Sequence, residues 1–277
     1  STMTKYLSLD KDFWRFSMDE MIEFDLPAII KYVLNKTNNS TLGYIGHSQG
    51  TLLMFGLLAS QPQYCNIIKP FVALAPITRI ANPKSPVTRI FSNPFLVDYL
   101  YHRGDAFFPY KCALNYIGEK GCKFWPFREF CSFLLFLFCG FDQEQLNQKR
   151  ISTYFAHTPA GTSSWNIAHY GQILGSKKFQ KFDYGCTKNF EKYGTSTPPV
   201  YDLKNVDANN IAILHSQNDW MSDPEDLNFL RQEVKGKFLL DHQVTFSKWN
   251  HIDYIWSRET EKYVNIVVLE ILEKFRK

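Results

Sequence analysis

A serine flanked by two glycines most constrains what this chain can fold into. Residues 42–47 form a short apolar run, Ser48 lies between Gly46 and Gly50, and residues 52–60 favour a helix. A strand, a sharp turn and a helix together make a nucleophile elbow, where glycines avoid collisions around a strained serine. The helix start also favours negative charge beside the hydroxyl. The alternative is an ordinary glycine-rich turn with a solvent-exposed serine.

Composition narrows the class of protein. The 277 residues are enough for one large domain, or one domain with a lid, and 45% hydrophobic and 16% aromatic residues can build a sizeable core. The net charge of +4 is dispersed, so nothing indicates nucleic-acid binding. The longest apolar run, residues 130–141, is too short to span a bilayer. No apolar leader opens the chain, so we expect either a removed signal peptide or a fragment.

Cysteine spacing and sequons bear on metals and on the compartment. None of the six cysteines forms a C-x-x-C pair, so the sequence predicts no metal site, and it indicates no cofactor. Sequons at Asn35, Asn38 and Asn39 fall in what reads as a polar loop over residues 35–40, and they are candidate glycosylation sites. They give mild support to a secretory route.

The remaining patterns predict an α/β protein with an inserted helical segment. Residues 17–20 form a capping box before a helical pattern, and residues 67–75 read as a strand parallel to residues 42–47. We expect a hydrolase core over residues 1–79, a helical cap or lid over 80–185 without strands, and the second part of the core over 186–277. The aromatic residues of the cap segment (residues 80–185) form either plain core or the wall of a lipid-sized pocket.

Three loops that follow predicted strands carry Ser48, Asp219 and His251. The carboxyl ends of parallel strands are where functional groups gather, and the order Ser, Asp, His along the chain is that of α/β-hydrolases. A serine hydroxyl needs a histidine base, and a buried carboxylate orients the imidazole and stabilises it when it is charged. We expect the other histidines to be structural; they are His47, His102, His157, His169, His215 and His242. The side chain of His47, next to Ser48 in the sequence, is expected to point away from the site. Asp223 and Asp226 look like helix-start residues, and Asp253 follows the histidine too closely to orient it.

Several motifs give the chain a family resemblance. It resembles the acid lipases of the gastric and lysosomal type, within the α/β-hydrolases. The motifs are Phe24-Asp25-Leu26-Pro27-Ala28, Gly46-His47-Ser48-Gln49-Gly50-Thr51, Leu74-Ala75-Pro76, His157-Thr158-Pro159-Ala160-Gly161-Thr162-Ser163, Asn218-Asp219-Trp220 with Asp223-Pro224, and Asn250-His251-Ile252-Asp253. The resemblance implies Ser48 as nucleophile, Asp219 as acid and His251 as base. It also implies hydrolysis of triacylglycerols or cholesteryl esters under a helical cap at acidic pH, a secreted or lysosomal location, and contact with a lipid droplet or micelle surface.

The resemblance also implies a disulfide and an incomplete oxyanion hole. Cys122 and Cys131 match the family's disulfide pair, with free core thiols as the alternative. Members of the family carry roughly a third more chain before the point that matches Ser1, including the first strands of the sheet and a loop that supplies one oxyanion amide. Only the amide of Gln49 is then left for the hole. We therefore expect a lipase truncated at its N-terminus.

Two hypotheses of different classes follow. The first is a serine ester hydrolase of neutral lipids that forms an acyl-enzyme through Ser48. The second is a non-catalytic remnant that keeps the three residues but lacks part of the oxyanion hole, the loss of one donor costing on the order of 10²–10³ in rate. An acyltransferase or thioesterase on the same fold is a further alternative within enzymes.

Overall fold

A four-stranded parallel sheet organises the computed structural model, which describes residues 11–108 and 112–276. Its strands are β1 (Leu42–His47), β2 (Ile68–Leu74), β5 (Ile211–His215) and β6 (Leu240–Gln243), in the spatial order β1-β2-β5-β6. The first ten residues of the predicted 1–79 core segment lie outside the described residues. All three strand pairs run parallel, as predicted for the first of them.

Side chains along the central strands alternate between the two faces of the sheet, and both faces are buried. On β2, Phe71 and Ala73 join one core cluster, while Val72 and Leu74 join the other. The first cluster holds the N-terminal helices and the helix after the elbow, and the second holds the C-terminal helix. Because neighbouring residues of a strand point to opposite faces, helices cover the sheet on both sides.

The described part of the chain also contains thirteen α-helices. They are α1 (Met18–Glu20), α2 (Leu26–Thr37), α3 (Gln49–Ser60), α4 (Pro86–Ile90), α5 (Pro94–Arg103), α6 (Cys112–Gly121), α7 (Phe127–Cys139), α8 (Ile151–His157), α9 (Ser164–Ser176), α10 (Cys186–Tyr193), α11 (Pro224–Glu233), α12 (Asp253–Trp256) and α13 (Ile266–Glu273). The predicted terminal helix over 259–275 is shorter, because a π-helical turn, Glu261–Asn265, leads into α13.

The predicted capping box is confirmed at the start of α1. The Ser17 hydroxyl accepts from the Asp19 amide, and the Glu20 carboxylate accepts from the Ser17 amide at 2.7 Å. The predicted polar loop over residues 35–40 is wrong at its start, because α2 continues to Thr37. The turn that leads to β1 begins at Asn38, whose φ is +54°.

The chain between β2 and β5 adds no strand to the main sheet in the described residues, and seven helices occupy it. The expectation that the cap segment lacks strands is wrong in one detail. Strands β3 (Ala106–Phe107) and β4 (Thr162–Ser163) pair antiparallel in a two-stranded sheet, too short to alternate visibly in sequence. Cys122 and Cys131 form a disulfide with Cα atoms 5.9 Å apart. No helix among the described residues has the length and apolar character needed to cross a bilayer.

Candidate active site

The turn between β1 and α3 holds Ser48 in a strained backbone conformation. Its φ is +53° and its ψ −119°, a combination that side chains other than glycine rarely adopt. Its amide donates to the Leu74 carbonyl of β2, and its carbonyl accepts from the hydroxyl of Thr51 at 2.7 Å. A Cβ on Gly46 would lie 2.9 Å from the carbonyl of Gly50, so only glycine fits there. The strand, turn and helix predicted around Ser48 are confirmed.

The structure brings Ser48, Asp219 and His251 together. The Nε2 atom of His251 lies 2.6 Å from the hydroxyl oxygen of Ser48. Its Nδ1 atom lies 2.9 Å from both carboxylate oxygens of Asp219. The imidazole therefore has a hydroxyl on one side and a carboxylate on the other, the arrangement that serine acyl transfer uses.

The carboxylate of Asp219 is fully buried and held from two sides. Its Oδ1 accepts hydrogen bonds from the amides of Met221 and Ser222, at 2.9 and 2.7 Å. Burial alone would raise the pKa of Asp219, but the His251 ring and the two amides outweigh it and hold the pKa below its usual range. The group is therefore an anion at neutral and mildly acidic pH.

His47 contacts the histidine loop, which the sequence argument missed. Its Nε2 donates to the backbone carbonyl of His251 at 2.7 Å, and the two rings lie 5.0 Å apart. The expectation that its side chain points away from the site is wrong, because β1 ends directly beneath that loop. Burial, together with the charge on His251, lowers the pKa of His47 to about 4, so the ring is neutral at ordinary pH.

The segment 139–142, which begins with the last residue of α7, packs against both the acid loop and the histidine loop. The carbonyl of Cys139 accepts from the His251 amide at 3.1 Å, and that of Gly140 accepts from the Asn250 side chain at 2.9 Å. Gly140 has φ of +106°, and a Cβ there would lie 2.2 Å from the carbonyl of Asn218. The cap segment thus supplies part of the support for the site. The one sign of this support in the sequence is Gly140, which lies near the end of the apolar run over residues 130–141.

Gln49 is the first residue of α3, so its amide is one of the helix-start N–H groups without an intrahelical acceptor. Its side chain turns toward the cap segment and donates to Asn166 of α9 at 3.0 Å. That contact leaves the backbone amide as the group of Gln49 that can face a developing oxyanion beside Ser48.

The remaining predicted residues lie elsewhere. His102, His169 and His215 bond to the Asp98 carbonyl, the Gln180 carbonyl and the Asp241 carboxylate. Asp223 caps α11, as the sequence predicts. The three sequon asparagines, Asn35, Asn38 and Asn39, are exposed at the surface.

A separate surface cavity of about 520 Å³ lies between α5, α9 and the loop before α10. Val97, Gly171 and Tyr184 are among its lining residues, and Ser48, Asp219 and His251 are not. Its position therefore gives it no part in chemistry at Ser48.

Comparison with known proteins decides the family. Lysosomal acid lipase/cholesteryl ester hydrolase of Macaca fascicularis is 35% identical over 274 residues, covering 98% of this chain and 68% of the relative. The human protein of that name is 36% identical over 276 residues, with the same two coverages. The chain belongs to the acid lipase family. Rat gastric triacylglycerol lipase, another relative, is 35% identical over 261 residues, covering 94% of this chain and 65% of its own length.

Other comparisons add little to this family assignment. No protein-family model matches the chain. Among solved structures, a monoacylglycerol lipase from Paleococcus ferrophilus has 14% identity and a TM-score of 0.48, covering 94% of this chain and 76% of its own. The parallel sheet, the elbow and the acid-lipase relatives together give this chain the α/β-hydrolase fold.

Proposed function

We propose that the protein is a serine ester hydrolase of neutral lipids, in which Ser48 is the nucleophile, His251 the base and Asp219 the acid. The observation that carries the proposal is the unbroken line of contacts from the Asp219 carboxylate through the His251 ring to the Ser48 hydroxyl. Relatives named as lipases that act on cholesteryl esters and triacylglycerols support the substrate class.

The contacts assign a path to each proton and bond. His251 Nε2 takes the hydroxyl proton as Ser48 Oγ attacks the ester carbonyl carbon, and the negative charge moves to the carbonyl oxygen. His251 then returns the proton to the departing alcohol oxygen, which leaves the fatty acyl group on Ser48. Water then attacks the acyl carbonyl carbon and gives a proton to His251, which returns it to Ser48 Oγ as the bond to the acyl group breaks and the fatty acid leaves. Asp219 stays ionised throughout and stabilises the imidazolium.

The helix α3 supports the developing oxyanion. The Gln49 amide at its N-terminus lies next to the nucleophile, and the aligned peptide dipoles add a partial positive charge. The competing hypothesis is a non-catalytic remnant in which this hole does not form.

Labelling with a serine-directed fluorophosphonate tests the proposal. We expect one label per chain on the peptide that contains Ser48, and no label after Ser48→Ala, because within residues 11–108 and 112–276 this is the one hydroxyl with a histidine base, at 2.6 Å. Ser60→Ala is a matched control and should keep the label. Mass spectrometry of the digested protein reads the site. A folded chain, checked by circular dichroism, that takes no label would support the remnant.

The surface of the cap segment suggests how the protein binds a lipid surface. We name the exposed side chains Phe124, Trp125, Phe127, Phe130 and Phe133 the aromatic face; their exposed fractions run from 45 to 76%. Phe133 contacts Phe141, whose ring lies 5.4 Å from that of Trp220 beside the acid loop. One member of the aromatic face, Phe133, is therefore linked through Phe141 to the acid loop. We propose that the aromatic face seats on a droplet or micelle surface, as exposed aromatic faces of amphipathic helices do.

The double variant Phe127→Ser, Phe130→Ser tests that contact. Removing two exposed phenyl rings should weaken partition to phosphatidylcholine-coated triolein droplets by roughly tenfold or more, since each ring brings on the order of 1.5–3 kcal/mol when fully buried. Hydrolysis of soluble p-nitrophenyl butyrate should change little. Phe190→Ser, which alters an exposed phenyl ring on α10, is the control. Equal droplet binding in the double variant and the control would exclude the aromatic face.

A secretory or lysosomal location fits the same proposal. The Cys122–Cys131 disulfide is typical of oxidising compartments, and the three sequons are exposed. Relatives named as lysosomal and gastric lipases agree with this route. We propose N-glycans at Asn35, Asn38 or Asn39 on this basis.

A further inference from the structure

A second pair of carboxyl groups lies beside the histidine loop, outside the three residues already described. Asp142 belongs to the segment after α7, and Asp253 begins α12, two residues past His251. Both side chains are buried, at 0 and 1% exposure. Each carboxyl group is a side-chain hydrogen-bonding neighbour of the other.

The hydrogen bonds around these two groups leave one acceptor that a shared proton would satisfy. Oδ1 of Asp142 accepts from the amides of Glu144 and Gln145, at 3.1 and 3.2 Å. Oδ2 of Asp142 is buried and has no donor among the described residues. Two ionised carboxylates in contact cannot supply one. A protonated Asp253 can, because its O–H would donate to Asp142 while its Oδ2 accepts from the Asn250 amide at 2.7 Å.

The surroundings favour the proton over two charges. Burial, followed by the contact with Asp142 and the charge of Asp219, raises the pKa of Asp253 to about 8, although the Asn250 amide opposes this. Burial also raises the pKa of Asp142, although hydrogen bonds from the Gln145 amide, Asp253 and the Glu144 amide oppose this. The other titratable groups near the pair are Cys139, Lys248, His251 and Tyr254. Lys248, the one cation of this set apart from the histidine, is exposed and forms its ion pair with Glu144.

The pair lies where two backbone segments are joined. Segment 139–142 holds the loop 250–253 through the Cys139 carbonyl and the His251 amide, and through the Gly140 carbonyl and the Asn250 side chain. The carboxyl pair is a third link between the same segments. If it carries two charges it pushes the segments apart, and the His251 backbone is attached to one of them.

We propose that Asp142 and Asp253 share a proton that holds the histidine loop against the cap segment, and so positions His251 for its work on Ser48. The positioning half rests on the proposed hydrolase function. The shared proton stands without it. Neither residue touches the reacting atoms; they act through the backbone of the loop.

Because folding raises the pKa of Asp253, this carboxyl group stabilises the folded chain less as the pH rises. Asp253 keeps its proton in the folded chain up to about pH 8, whereas in the unfolded chain it loses it near its ordinary pKa of 3.8. Between these values the folded state binds one more proton, so raising the pH destabilises it, by about tenfold in the unfolding equilibrium constant per pH unit. Above about pH 8 this contribution no longer changes with pH.

Urea unfolding of the full chain tests the shared proton without any activity assay. Relative to the wild type, Asp253→Asn should lose a destabilising slope of about tenfold per unit between about pH 5 and 7, because the amide donates to Asp142 and still accepts from Asn250 without titrating. The buried His47, whose pKa is lowered to about 4, contributes a slope of the opposite sign in every one of these proteins and cancels in the comparison. Asp142→Asn should do the same from the other side. Asp98→Asn, at an exposed carboxyl, should keep the slope. Equal slopes in all four proteins would overturn the shared proton.

Hydrolysis of p-nitrophenyl butyrate tests positioning. In the wild type, kcat/KM should fall about tenfold as the pH passes one unit beyond about 8, since deprotonation of the pair releases the loop. In Asp253→Asn the ratio of kcat/KM at the two pH values should stay within about twofold. A normal fall in that variant overturns positioning. If the stability of the wild-type protein depends on pH as expected but the protein shows no turnover, the hydrolase proposal fails and the shared proton stands.

Discussion

Replacing Asp219 by asparagine is expected to lower kcat for ester hydrolysis about 10⁴-fold, as the equivalent change does in serine hydrolases of known mechanism. The Met221 and Ser222 amides fix the orientation of the new side chain, because both must donate to its oxygen. Its NH₂ group then faces His251 Nδ1. The imidazole must accept there, so its proton moves to Nε2, where a lone pair is needed to receive the proton of Ser48.

The measurement is p-nitrophenyl butyrate turnover near neutral pH, with circular dichroism as a check of folding. Asp223→Asn is the matched control. Asp223 is also buried and only four residues away, but it caps α11 through the Glu225 amide, and asparagine caps equally well. The control should keep its rate within about threefold, a small change on the kcat scale. If Asp219→Asn retained a tenth of the wild-type rate, the assignment of Asp219 would be wrong.

A large loss of stability is expected from Asp19→Ala. The Asp19 carboxylate is 4% exposed and accepts from the Tyr201 hydroxyl at 2.6 Å, the Phe182 amide at 2.8 Å and the Tyr193 hydroxyl at 3.3 Å. It joins α1 to the stretch of chain that returns from the cap segment to the sheet. Alanine leaves the Tyr201 hydroxyl and the Phe182 amide without this acceptor, whereas the Tyr193 hydroxyl keeps the Phe182 carbonyl at 2.9 Å. The free energy of unfolding should therefore drop by about 3 kcal/mol or more.

Urea denaturation measures this loss as a shift of the midpoint at unchanged slope. Asp98→Ala is the control, because that carboxyl is exposed and should change the unfolding free energy by no more than about 0.5 kcal/mol. A loss below about 1 kcal/mol in Asp19→Ala would show that water replaces the carboxylate at this site.

Local patterns in the sequence were enough for the elements around Ser48. The apolar run, the glycines and the helix formers each act over a few residues, so β1 and α3 follow from them, as does the capping box at Ser17. Asp219 and His251 follow because parallel strands end at one edge of the sheet. Whether these three residues perform catalysis remains a prediction.

The contacts of His47 and Asp142 could not be predicted in this way. His47 touches a residue that lies 204 positions further along the chain, and Asp142 touches Asp253 across the boundary between the cap segment and the core. Such contacts depend on how packed elements meet. The strands β3 and β4 were missed for another reason, since two residues are too few to show a period.

The pairing of β2 with β5 has a consequence for how the molecule forms. Leu74 lies beside Leu214 although the whole helical insertion separates them, and the Ser48 hydroxyl meets a ring 203 residues away. Such non-local contacts form slowly, because a long loop must close before they bring any stabilisation. During refolding, the circular dichroism signal of the helices should therefore return early, while the reactivity of Ser48 should return only in the last cooperative step.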